Sequence, residues 1–209
     1  MDYQPLSFRH QLDQAWSRHV IAVCALLWLA CAWSASAAEL KDVTVDVEGK
    51  RYIVQSVVMV EAPIEAVYEV LADYDQFERV SSIFKDSRYI ERDAVGNGLV
   101  FTRMHDCILF FCKTIDRTET IRVSPPTAIE TDVIPEKSDV VSGSSRWGLV
   151  EQGGSTLVTF RMEMQPDFWI PPVIGPFFIR RFLRDGSADA AQRLEDFALE
   201  LVAAGGATS

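Results

Sequence analysis

Cys107 and Cys112 flank four apolar residues, Ile108-Leu109-Phe110-Phe111, and His105 stands two residues before the first cysteine. If strands lie on either side, this C-x4-C spacing places the cysteines opposite each other on a hairpin, within disulfide range. The same register opposes Asp106 to Lys113 and Arg103 to Asp116, both favourable cross-strand pairs. In an oxidising compartment the expectation is a structural disulfide. Free thiols and a redox pair are the alternatives, although C-x4-C differs from the C-x-x-C dithiol motif. His105 shares a strand face with Phe101, Arg103 and Cys107, while Asp106 points to the other face. It therefore lacks the positioned partner that a general acid or base needs. One histidine with two cysteines also falls short of the usual zinc sets. No catalytic residue, metal site or cofactor is expected.

These residues are so few because a leader holds the others. Residues 1–37 read as an export signal. Arg9, Arg18 and His19 precede the uncharged run Val20 to Trp33, and Ala35-Ser36-Ala37 fits a small-residue cleavage site. As a helix, fourteen residues span ~21 Å, short of the ~30 Å bilayer core. The expected destination is the periplasm or another exported location. The alternative is an uncleaved N-terminal membrane anchor, favoured by the long polar stretch and by Asp2 and Asp13 within it.

The whole chain has 209 residues, 48% hydrophobic and 24% charged, which excludes disorder, collagen and coiled coil. Its formal charge is −10, from 20 Lys+Arg against 30 Asp+Glu, so no nucleic-acid partner is expected. The leader carries two residues of each sign (Arg9, Arg18; Asp2, Asp13), so its removal leaves the charge unchanged.

The elements after the leader follow from periodicity. Val43 to Glu48 and Tyr52 to Glu61 form a hairpin around Gly49-Lys50. Pro63 suits the first turn of a helix whose Ile64, Val67, Tyr68 and Leu71 share a face. Asp73 can cap a second short helix containing Phe77 and Val80. A period of two then marks strands at Ser87–Arg92, Leu99–Cys107, Cys112–Val123, Ala128–Ile134, Val140–Glu151 and Thr156–Met164. In the last, Val158, Phe160, Met162 and Met164 share the face opposite Thr159, Arg161 and Glu163, as a half-wet antiparallel sheet requires.

A long helix from Phe178 to Val202 closes the chain. Its stripe is Ile179, Phe182, Leu183, Gly186, Ala190, Leu194, Phe197 and Leu201, and Gly205-Gly206 ends it. That stripe must be buried, and the apolar sheet face is the available partner. The expected architecture is α+β: a curved antiparallel sheet wrapped around a long C-terminal helix, with two short helices after the first strand. The small residues Gly186, Ala188, Ala190 and Ala191 in mid-helix allow either close approach or an apolar pocket.

Ala62-Pro63-x-x-x-Val67-Tyr68, Leu71-Ala72-Asp73-Tyr74-x-x-Phe77, Gly143-x-x-Arg146-Trp147 and Thr156-x-Val158-x-Phe160 occur in this order before the final helix. In that order and spacing the chain resembles the SRPBCC, or START-like, helix-grip superfamily. Within it, the chain is most similar to the branch of polyketide cyclases/dehydrases and coenzyme-Q-binding START proteins. The resemblance covers about Tyr52 to Leu201, within a START-like domain over 44–204. It implies a hydrophobic small molecule or lipid held between sheet and helix, and it carries over no catalytic residue.

Trp147, Phe160, Met162, Met164 and Phe182 are the candidate lining, with Gly186 leaving space beside them. For each, plain core is the competing reading. Leu109, Phe110 and Phe111 at the hairpin tip, with Phe168 and Trp169 after the last strand, either fold back on the body, gate the pocket or touch a membrane. Arg180, Arg181 and Arg184 could then meet headgroups. The expected role is an exported binding or carrier protein for a lipid- or quinone-like molecule, without catalysis. The alternatives are a cyclase or dehydratase acting on a polyketide-like substrate, which would need polar groups inside a pocket expected to be mostly apolar, and a membrane-associated protein without a small ligand.

Overall fold

A computed structural model describes residues 38–108, 111–168 and 175–206. Eight strands alternate with few helices: β1 (Glu39–Glu48), β2 (Arg51–Val60), helix α1 (Ile64–Ala72), a 3-10 turn (Tyr74–Arg79), β3 (Phe84–Arg92), β4 (Gly98–Ile108), β5 (Phe111–Ser124), β6 (Ala128–Val133), a second 3-10 turn (Pro135–Lys137), β7 (Val140–Gln152), β8 (Ser155–Pro166) and helix α2 (Gly175–Gly206). All strand pairs are antiparallel, in the order β1-β2-β8-β7-β6-β5-β4-β3. The expected α+β helix-grip architecture is therefore present. The chain leaves β2 inside the sheet and starts β3 at the far edge, and α1 with the first 3-10 turn makes that crossing over one face.

The crossing segment fills its end of the face. Pro63 precedes the helix, and its carbonyl accepts the Val67 N–H at 3.1 Å. Val67 and Leu71 are fully enclosed, Ile64 nearly so. The 3-10 turn adds Tyr74 and Phe77, stacked with ring centroids 4.6 Å apart. Asp73 precedes this turn, but its carboxylate caps no backbone N–H; it accepts Nε2 of Gln76 instead. The strand residues Val58, Val60, Val100, Ile121, Ile129, Leu149 and Val158 belong to the same core, as do Ala191, Leu194 and Ala198 of the C-terminal helix.

Helix α2 packs on β1, β2 and α1. It starts before Phe178 and runs through Gly205 and Gly206, which were expected to end it. Glycine lowers helix propensity by ~1 kcal/mol but stops a helix only by turning left-handed, and neither glycine has a positive φ. The buried stripe is also rotated: Ala191, Leu194 and Ala198 are enclosed, whereas Leu201 is 37% exposed. Alanines permit the close helix approach that a leucine at their positions would block. Among the described residues no helix is long and apolar enough to cross a membrane.

The hairpin register matches the expected one throughout. Cys107 opposes Cys112 and is bonded to it, with Cα atoms 3.9 Å apart. Asp106 opposes Lys113, and Arg103 makes a two-pronged pair with Asp116 at 2.7 and 2.6 Å. Hydrogen bonding to the Arg103 guanidinium holds the Asp116 carboxyl below the usual aspartate range. Ile108 and Phe111 pair as strand residues, so the tip is two residues long, shorter than the expected four. Replacing both cysteines with serine should cost ~2 kcal/mol through the small closed loop, read as a fall in the urea midpoint at unchanged slope. Thiol titration of native, non-reduced protein should find neither Cys107 nor Cys112 reactive; two reactive thiols would sink the bond.

Candidate functional site

The register assigns every inward residue, because directly opposed residues of an antiparallel pair share a face. Trp147 opposes Phe160, and their rings lie 4.0 Å apart at 31°. Met162 opposes Val54 and Ser145; Met164 opposes Tyr52 and Gly143. Trp147, Phe160, Met162 and Met164 thus share the inner face with the core residues Val58, Leu149 and Val158, as the alternation in β8 implied. They differ from that core in exposure. Val58, Leu149 and Val158 are enclosed, whereas all four large side chains remain half-buried, Trp147 packing against the core's edge.

Gly186 in α2 is half-buried, and a Cβ placed on it meets no atom of the described residues within 4 Å. Phe168 is half-buried and lies 4.8 Å below the Lys113 ammonium, which links the end of the β4–β5 hairpin to the chain leaving β8. Leu109, Phe110 and Trp169 lie outside the described residues, as do the side chains of Phe111 and Phe182. His105 sits on the outer face, its Nδ1 2.8 Å from the Thr114 hydroxyl.

The inner face is not the mostly apolar lining expected. A polar strip crosses its centre. Arg117 and Glu119, two apart on β5, point inward together, Nη2 to Oε2 3.3 Å. Their side chains are 9% and 1% exposed, so this ion pair is desolvated. The Thr131 hydroxyl donates to Glu119 Oε1 at 2.9 Å and lies 2.8 Å from the Ser145 hydroxyl. Burial pushes the Tyr74 hydroxyl far above the usual tyrosine range; Glu119 adds to this and Arg117 opposes it, so Tyr74 keeps its proton. Arg117 Nη1 lies 4.0 Å from the Met162 sulfur, which joins the strip to the apolar side chains.

Two atoms of this strip have no partner among the described residues: Arg117 Nε and Thr102 Oγ1. They belong to residues that are directly opposed across β4 and β5, although the Arg117 guanidinium itself reaches toward Glu119 and Met162. Leaving a buried polar group unsatisfied costs ~1–3 kcal/mol, so each of these inward groups retains unused bonding capacity. Sequence reasoning missed Thr102, Arg117, Glu119, Thr131 and Ser145. Their signal was available only as parity in β5, where Ile115, Arg117, Glu119, Ile121 and Val123 alternate with Thr114, Asp116, Thr118, Thr120 and Arg122. Both sets are mixed, so neither declares itself the inner one.

The outer face has a depression of about 360 Å³. Its charges are used among themselves: Arg122 meets Asp132 at 2.7 Å, Arg146 meets Glu130, and Arg161 meets Glu163 at 2.5 Å. Exposed ladders of this kind add little energy per pair.

The sequence profile of the family described as polyketide cyclase / dehydrase and lipid transport matches residues 51–198. The chain belongs to this family. No curated protein matches it significantly. Many solved structures share its fold, three of which illustrate the range. The ZhuI aromatase/cyclase from Streptomyces sp. R1128 superposes with a TM-score of 0.57 at 16% identity, over 73% of this chain and 96% of that one. A START superfamily protein from Mycobacterium smegmatis gives 0.57 at 17%, over 71% and 98%. A STAR-related lipid transfer protein from Xanthomonas axonopodis gives 0.56 at 16%, over 76% and 99%. At such identities the likeness establishes the fold of this family member and leaves its ligand to its own residues.

Proposed function

We propose that the protein binds a hydrophobic small molecule, lipid- or quinone-like, on the inner face of its sheet and carries it after export. The carrying observation is the contrast along that face: Trp147, Phe160, Met162 and Met164 stay half-buried beside a fully enclosed core. Covering them with a ligand would gain ~25 cal/mol per Å² of apolar area, before the costs of ordering. Methionines suit a pocket that adapts to its occupant. The family's description and a lipid transfer protein among the structural neighbours support the reading. In it the leader is removed after Ala37. The hairpin tip with Phe168 and Trp169 forms the gate or membrane contact, a role supported by the Lys113–Phe168 contact.

A second reading has its own support. Arg117, Glu119 and Tyr74 supply the inward polar groups that a cyclase or dehydratase would need, and an aromatase/cyclase is among the neighbours. Native mass spectrometry of protein purified from its own cell envelope separates the two. A mass beginning at Ala38 with a co-purifying apolar molecule supports export and carriage. An intact Met1 overturns cleavage. A protein that arrives empty and turns over an added poly-β-ketone points to the enzyme.

Gly186→Leu is a direct probe of space at the helix. Leucine gains roughly 0.5–1 kcal/mol of helix propensity. Since a Cβ there meets nothing described within 4 Å, the melting temperature should hold or rise while uptake of an apolar fluorophore falls. A clear loss of stability would mean a close-packed site at this position, where overpacking costs ~1–3 kcal/mol.

A further inference from the structure

We propose that Asn97 is a site of spontaneous deamidation that Asp93 holds in check, and that its conversion to a carboxylate loosens the turn between β3 and β4. Asn97 is the single asparagine in the 209 residues, and Gly98 follows it. Glycine has no Cβ, so its nitrogen meets no side-chain obstruction when it attacks the side-chain carbon of the residue before it. In the reaction the Gly98 nitrogen loses its proton and bonds to Cγ of Asn97, and the side-chain nitrogen leaves as ammonia. Water then opens the cyclic imide at either carbonyl, giving aspartate or isoaspartate. Water is the only co-reactant.

The fold requires both residues of this reactive pair. A Cβ on Gly98 would collide with the Glu91 carbonyl, so no larger residue can slow the attack from that side. Asn97 uses both ends of its amide: Oδ1 accepts the Val123 N–H at 2.9 Å, and Nδ2 donates to Asp93 Oδ2 at 2.9 Å. An aspartate there would keep the acceptor and lose the donor. The other Asp93 oxygen, Oδ1, accepts the N–H groups of Val95, Gly96 and Asn97 at 2.9, 2.8 and 2.9 Å. The Asp93 N–H in turn donates to the Asn97 carbonyl at 2.8 Å. These bonds, that from the Asn97 side chain foremost, hold the Asp93 carboxyl below the usual aspartate range. Held at both ends, the amide cannot swing toward the Gly98 nitrogen without giving up one bond or both. Gly98 is also the first residue of β4, opposed to Arg92 and Ile121. After reaction a carboxylate faces Asp93 where an amide donated to it, so two like charges replace a hydrogen bond.

The test incubates the full chain, folded and in urea, at mildly alkaline pH. It follows the amide-to-acid mass gain of the peptide holding Asn97, with labelling by an isoaspartate methyltransferase as a second readout. The folded chain should react about a hundredfold more slowly than the chain in urea, the yield of two net hydrogen bonds, one of them to a charged group. Asp93→Ser keeps a short oxygen that can accept N–H groups of the turn and removes the carboxylate that holds Nδ2. It should speed the reaction of the folded chain about tenfold, the yield of one hydrogen bond to a charged group. Asn97→Asp installs the product directly and should lower the melting temperature by roughly 2–4 °C, the response of a chain this size to a small local loss. Equal rates in the folded chain and in urea overturn the protection, and that comparison needs no variant. A folded Asp93→Ser chain that reacts no faster than the parent overturns the role of Asp93. An Asn97→Asp chain that melts with the parent overturns the loosening of the turn.

Discussion

Glu119→Ala is expected to destabilise the fold by about 3–5 kcal/mol, the cost of leaving a buried charge without its partner. Glu119 is 1% exposed and its ion-pair partner Arg117 9%. Alanine at 119 would strand the guanidinium in a site where one of its nitrogens already lacks a partner. It would also release the Thr131 hydroxyl, leaving it only the Ser145 oxygen. For a domain of this size the melting temperature should fall by on the order of 10 °C. The double variant Arg117→Met with Glu119→Leu should recover most of that loss, because apolar residues of similar volume replace buried ion pairs at little net cost. Calorimetry of the three proteins reads both effects. A single-variant loss below about 1 kcal/mol would show the pair to be hydrated, and the strip would no longer count as a desolvated binding surface. Retained stability with lost ligand preference in the double variant would place the strip's use in recognition, with the fold held elsewhere.

Leu71→Ala should cost about 2–5 kcal/mol, the transfer of the lost atoms plus the cavity they leave. Leu71 has no exposed surface and sits where α1 meets the inner face of the sheet, among Val67, Ala72, Tyr74 and Phe77. Leu201→Ala deletes the same atoms from α2 at a position that is 37% exposed, and the expected change is within roughly 0.5 kcal/mol, as for ordinary surface positions. Urea unfolding of the pair is thus a controlled comparison of one substitution in two environments. Equal losses would mean that α2 is rotated so that Leu201, and with it the originally expected stripe, faces inward.

Those two leucines illustrate how far the chain could be read from its residues. Both satisfy a helical apolar period, and the period alone cannot say how wide a stripe the partner surface covers. The elements themselves are largely local facts. Alternation in β8, the Pro63 helix start, the Cys107–Cys112 register and the strand order before a long helix all follow from side-chain period, turn chemistry and cross-strand pairing. They suffice for the helix-grip architecture and for placing Trp147, Phe160, Met162 and Met164 on one face. The helix end was misjudged because a glycine pair permits a stop without compelling one; the backbone at Gly205 and Gly206 simply stays right-handed.

The site's polar half lay beyond that reach. In β5 the inner set holds Arg117 and Glu119, and the outer set holds Asp116 and Arg122. Either parity is chemically acceptable for a strand with one wet face. The choice is made by β4 and β6, whose Val100, Thr102, Ile129 and Thr131 fall opposite or diagonal to the inner set, and by α1 packing over that side. Composition and spacing determined a sheet that grips a helix, with an apolar surface between them. Only the assembled sheet decided that a charged pair would be carried inside, because burial is a property of what covers a face, and the covering elements come from distant parts of the chain.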